Sequence, residues 1–87
     1  MSTADLIRER LIALEPETFT LDDESAQHKG HVGAAGGGGH FRLTIVSPRF
    51  RNLATLARHR LVYEAMGELM QRDIHALSIT ALTPEEL

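Results

Sequence analysis

Apolar positions along this chain switch between two periods. In STADLIRERLIALEP (residues 2–16), Ile7, Leu11 and Leu14 fall on one helical face, Leu6 and Ile12 broaden it, and Arg8 and Glu9 point elsewhere. Ser2 with Asp5 three residues on has the spacing of a weak capping box, and Pro16 closes the segment. ETFTLDDES (17–25) alternates instead, with Phe19 and Leu21 on one side and Thr18 and Thr20 on the other, which predicts a short strand. HFRLTIVSP (40–48) is the clearest strand: Phe41, Leu43 and Ile45 share one parity, Arg42 and Thr44 the other, and Ser47 and Pro48 end it.

The helical period returns in PRFRNLATLARHRLVYEAMGELMQRD (48–73). It predicts a turn, a short helical piece capped by Asn52, and then a longer helix burying Leu61, Val62, Ala65, Met66 and Leu69. IHALSITAL (74–82) alternates again, with His75, Leu77, Ile79 and Ala81 on one parity. TPEEL then opens a last helix, with Thr83 as cap and Pro84 at its first position. The order predicts an α/β chain of the α+β kind with helices packed on one face of a three-stranded sheet. The first two strands are expected to pair as an antiparallel hairpin. The crossover through the helices is expected to lay the third parallel to one of them, giving a mixed sheet.

Length and composition narrow the function. At 87 residues the chain has material for one core and one domain, 1–87. It has no cysteine, which excludes a disulfide framework, a cysteine nucleophile and any iron–sulfur cluster held by this chain alone. No apolar run is long enough for a membrane span, and MSTADLIRERL lacks the basic start and apolar block of a secretory signal, so a cytoplasmic protein without a membrane partner is expected. The net charge of −3 conceals an asymmetry: Asp5, Glu9, Glu15, Glu17, Asp22, Asp23 and Glu24 lie early, whereas Arg42, Arg49, Arg51, Arg58 and Arg60 cluster in the middle. Nothing groups a nucleophile, a base and an orienting residue, so an enzyme is not expected.

Chemistry concentrates in ESAQHKGHVGAAGGGGHF (24–41). Hairpin loops usually run two to five residues, so a connection of roughly fifteen is either functional or a tolerated insertion. The Gly/His-rich stretch 26–39 reads as a flexible loop. His28 and His31 are spaced so that one turn could aim both at an ion, although solvated loop histidines are the ordinary alternative. His40 opens the second strand, where a hydrogen-bonding role is the expectation. His75, on the parity of Leu77 and Ile79, reads either as a half-buried hydrogen-bonded histidine or as a ligand sharing a site with His28. Arg58, His59 and Arg60 place cations early in a helix, against its dipole, which suggests an anionic partner or a solvated face.

Together DES (23–25), HFRLTIVSPRF (40–50) with its Ser-x-x-Phe element, RHRLVYEAMGELM (58–70) and IHALSITAL (74–82) resemble the BolA family over nearly the whole chain. That resemblance implies a class II KH-like fold of order α-β-β-α-α-β-α. It also implies partnership with a monothiol glutaredoxin of the Cys-Gly-Phe-Ser type, in which the two proteins and glutathione share a [2Fe-2S] cluster in iron–sulfur trafficking or iron regulation. No cofactor is then expected on the isolated chain. The family's ligands would be His75 and a loop histidine, His28 with His31 as the fallback. Some members act as DNA-binding transcriptional regulators, so DNA is the alternative partner, through Arg49, Arg51, Arg58, His59 and Arg60. Against RNA stands the absence of a Gly-x-x-Gly string between the helices, the clamp of a KH module. Asn52 stands where a glycine is common in the family, and asparagine tolerates the left-handed conformation better than most residues.

Overall fold

The computed structural model describes residues 1–25 and 39–87. Helix α1 (Thr3–Leu11) begins at Ser2, whose hydroxyl accepts from the Asp5 amide at 3.1 Å while the Asp5 carboxylate accepts from the Ser2 nitrogen at 3.3 Å. The expected capping box thus satisfies two amide donors that would otherwise lack partners. After a 3-10 turn (Ile12–Leu14), Glu15 takes a left-handed conformation at φ 51° and the chain enters β1 (Thr18–Asp23). Strand β2 (Gly39–Val46) leads through a 3-10 turn (Pro48–Phe50) to α2 (Thr55–Met66), the single turn α3 (Leu69–Arg72), β3 (Ile74–Leu82) and a last 3-10 turn (Pro84–Glu86).

The sheet has the order β1-β2-β3. Strand β1 runs antiparallel to β2, with Phe19 opposite Ile45 and Leu21 opposite Leu43, and β3 runs parallel to β2, with Leu43 opposite Ile79. This is the mixed sheet that the alternating segments predict, in the expected order except that the last helix is only the 3-10 turn Pro84–Glu86. Its central strand supplies Phe41, Leu43 and Ile45 to the core, each at least 96% removed from solvent, because residues two apart share a face. They meet Ile7, Leu11 and Leu14 from the N-terminal helical segment, Phe50, Val62, Met66 and Leu69 from the crossover, and Ile74 at the start of β3. The edge strands contribute half-buried Phe19, Leu21, Leu77, Ile79 and Ala81. The opposite face carries small polar and charged groups, including Thr18, Thr20, Arg42, Ser78 and Thr80, all exposed.

Several local expectations change. Ile12 is 69% exposed, because the helix tightens to 3-10 geometry after Leu11 and the residue turns away from the stripe it would have widened. The short helical piece is capped by Ser47, not Asn52. The buried Ser47 hydroxyl accepts from the Arg49 amide at 3.1 Å and donates to the Leu14 carbonyl at 2.6 Å, joining the end of β2 to the 3-10 turn that follows α1. Asn52 instead occupies the left-handed region at φ 64°. The single long helix breaks at Gly67, whose φ of 57° and ψ of −131° suit only glycine, so Leu61 and Ala65 are partly buried while Val62, Met66 and Leu69 reach the core.

Gly39 belongs to β2 rather than to the preceding connection. A Cβ there would collide with the ring of Phe41, itself a core residue. Gly39→Ala should therefore displace that ring and cost about 1–3 kcal/mol, the range for overpacking a tight interior. Chemical denaturation measures it; a midpoint equal to the parent's would show that the ring relocates freely.

Candidate metal centre

Parallel strands start at the same end of a sheet. The first residues of β2 and β3 are therefore neighbours although the crossover separates them in sequence, and the Gly39 amide donates to the Asp73 carbonyl at 3.0 Å. Gly39 pairs with Ile74, but the next pair is His40 with Ala76, so β3 carries one extra residue there. An inserted residue reverses which face the following positions occupy. Ile74 points into the core at 3% exposure, Leu77, Ile79 and Ala81 resume the inward set, and His75 and Ala76 are both left exposed.

His75 is thus neither half-buried nor on the core face, as strict alternation from Leu77 had implied. The signal for the bulge lies in Ile74, a large apolar residue that uninterrupted alternation would have turned to water. The ring of His75 lies beside that of His40, with centroids 4.9 Å apart and planes tilted by 38°. Sequence reading gave His40 only a hydrogen-bonding role. The clue that could have placed it was the expected parallel pairing, which sets the two strand starts side by side.

Backbone contacts fix His40 before its ring is considered. Its amide donates to the Ser25 hydroxyl at 3.0 Å, and its carbonyl accepts from the Glu24 amide at 2.7 Å. Ser25 is held in turn by its amide donating to Asp23 at 2.9 Å, and hydrogen bonds from Ser25 keep the Asp23 carboxyl below its usual range. The DES motif therefore closes the end of the hairpin around the first residues of β2. His28 and His31 lie outside the described residues. Among those described, no three His, Asp or Glu side chains converge on one point.

The middle arginines are mostly spent within the molecule. Arg49 pairs with Glu15 at 2.9 Å, and the Arg51 Nε reaches Glu85 at 2.8 Å. Arg58 donates to the carbonyls of Leu53 at 2.8 Å and Ala81 at 3.0 Å and to the Glu86 carboxylate at 2.6 Å, leaving its side chain 13% exposed. It latches the start of α2 to the end of β3 and to the final turn. His59 and Arg60 make no ion pair among the described residues. No helix among those residues is long and apolar enough to cross a membrane.

The result is an α+β domain: a three-stranded mixed sheet with helices on one face, and histidines gathered where its parallel strands begin. Residues 11–86 match the model of the BolA-like protein family, and the chain belongs to that family. Mouse BolA-like protein 1 is 46% identical over 74 residues, covering 85% of this chain and 52% of that protein. The chain therefore spans about half the length of that relative. The DNA-binding transcriptional regulator BolA of Haemophilus influenzae is 31% identical over 99% of this chain and 82% of its own length. Among solved structures, the BolA domain of SufE1 from Arabidopsis thaliana superposes with a TM-score of 0.86 at 39% identity, covering 100% of this chain and 98% of that one.

The latch gives a pH dependence of known sign. Hydrogen bonds from Arg58 and then from the Thr83 amide lower the Glu86 carboxyl from 4.5 to about 2. A depressed folded-state value stabilises above the unfolded value and is lost as pH falls through the folded one. Glu86→Gln should therefore melt below the parent above pH 4.5 and converge with it as pH approaches 2. Parallel melting curves across that range would contradict the assignment. Arg58→Ala should destabilise by about 1–3 kcal/mol at neutral pH, because it strips two backbone carbonyls of their donor.

Proposed function

We propose that this chain is an adaptor rather than a catalyst, partnering a monothiol glutaredoxin of the Cys-Gly-Phe-Ser type to bind a shared [2Fe-2S] cluster in iron–sulfur trafficking or iron regulation. The observation that carries the reading is the exposure of His75 at the bulge: a strand histidine turned outward, in a chain with no thiol of its own, can offer nitrogen to a centre whose sulfur comes from elsewhere. The donor set fits such a group. Imidazoles ligate iron in mixed clusters, which have higher reduction potentials than all-thiolate ones. In this reading His75 is one ligand and a loop histidine, His28 or failing it His31, the second, while the partner's cysteine and glutathione supply the thiolates.

The chain's contribution is positional. The bulge presents His75, and the paired strands hold its backbone, so little ordering remains when a partner arrives. Anaerobic reconstitution with a monothiol glutaredoxin tests the reading through the visible spectrum of the complex. His75→Ala should lose the histidine-ligated spectrum and weaken the complex by more than the roughly 10–100-fold typical of losing a ligand's hydrogen-bond partner. An unchanged spectrum and an unchanged affinity in that variant would overturn the ligand assignment.

The name of the Haemophilus relative supports a second reading, DNA binding by this chain. The internal pairing of Arg49, Arg51 and Arg58 with Glu15, Glu85 and Glu86 weighs against it, because those charges are already neutralised. Exposed Arg60 and half-buried His59 remain on that face. If phosphates are contacted, band-shift affinity should fall steeply with salt, in proportion to the number of charges engaged. No shift at low salt removes the second reading.

A further inference from the structure

We infer that His40 and His75 form a preorganised two-imidazole chelate for a single divalent transition-metal ion of the zinc, nickel or copper class. The isolated chain would hold this ion without a partner. The inference shares His75 with the function proposed above but does not require a glutaredoxin or a cluster.

Two geometric facts carry it. With metal–nitrogen distances of about 2.0–2.1 Å, an ion lies about 3.2 Å from the centroid of each imidazole it binds. Two such rings at a tetrahedral angle then have centroids about 5.2 Å apart, and at a right angle about 4.5 Å. The observed separation of 4.9 Å falls between these arrangements. A bound ion also lies close to the plane of each ring, so two rings stacked in parallel cannot share one, whereas planes inclined at 38° do intersect.

The backbone argues the same way. His40 is held through its main-chain nitrogen and oxygen, by Ser25 and Glu24, and His75 sits at a bulge anchored on one side by buried Ile74 and on the other by the paired strand. Both Cα positions are therefore set by packing, and only side-chain torsions remain to be ordered when the ion binds. Imidazole selects this class of metal over magnesium or calcium, which prefer oxygen. Among the described residues no third His, Asp or Glu completes the sphere, so within them the remaining positions would fall to water or to a second molecule's donor.

Titration of the isolated 87-residue chain with zinc, nickel and magnesium ions tests the inference, by calorimetry and by imidazole ¹⁵N NMR. The expected result is one zinc or nickel ion per chain, no magnesium uptake, and nitrogen shifts at both His40 and His75. His40→Gln and His75→Gln should each weaken zinc binding about tenfold or more, the scale on which metal sites respond to loss of even a supporting contact. The double variant should be little worse than either single, since each already leaves a lone imidazole. A His28→Gln/His31→Gln variant should bind as the parent does. Parental affinity in His40→Gln, or binding lost with the loop pair but kept without His40, would overturn the chelate. If His40→Gln fails to fold, the parent's spectra decide: zinc-induced shifts confined to His75 or to the loop histidines refute it. Failure here leaves the cluster reconstitution unaffected, and the converse also holds.

Discussion

The parallel pairing of β2 with β3 is the constraint on which the rest of this molecule depends. Two parallel strands cannot be joined by a tight turn, so the chain must return over one face of the sheet before the second can begin. Helices α2 and α3 are that return, and their inner residues Val62, Met66 and Leu69 close the core over Phe41, Leu43 and Ile45. The same topology decides where chemistry can occur. It puts the two strand starts side by side, joins them through the Gly39 amide and the Asp73 carbonyl, and thereby sets His40 against His75. An antiparallel third strand would have put the two histidines at opposite ends of the sheet.

A single extra residue in β3 completes the arrangement. Without the shift after the Gly39–Ile74 pair, either Ile74 would face water or His75 would be pressed against the core. The bulge resolves both demands at once, which is the ordinary use of such features where a side chain must be re-aimed. The energetic anchor is the burial of Ile74, and the chemical result is the release of the imidazole. Gly39, beside the ring of Phe41, is the matching concession on β2.

Electrostatics divides the surface in a way that net charge conceals. The early acids and the central arginines are not two opposed faces: Glu15 meets Arg49, Glu24 meets Arg42, and the acids of the last turn meet Arg51 and Arg58. Most of these pairs are exposed and worth little individually. Arg58 differs, because its guanidinium also satisfies two backbone carbonyls in a largely shielded position. An arginine that looks in sequence like the edge of a binding patch is thus chiefly a structural latch.

Periodicity was enough to locate the elements. The capping box at Ser2 and Asp5, the three strands, the mixed pairing and most of the core could be read from local pattern, because helical and extended backbones impose different spacings on residues that must share an apolar face. The absence of cysteine likewise limited the chain's metal ligands before any fold was known. What local pattern could not decide was whatever depends on two segments at once. Parity assigned His75 to the core because a strand's own sequence does not record an extra residue relative to its neighbour. The pairing of the arginines and the meeting of His40 with His75 were settled only when helices and strands docked, since each depends on a partner far along the chain.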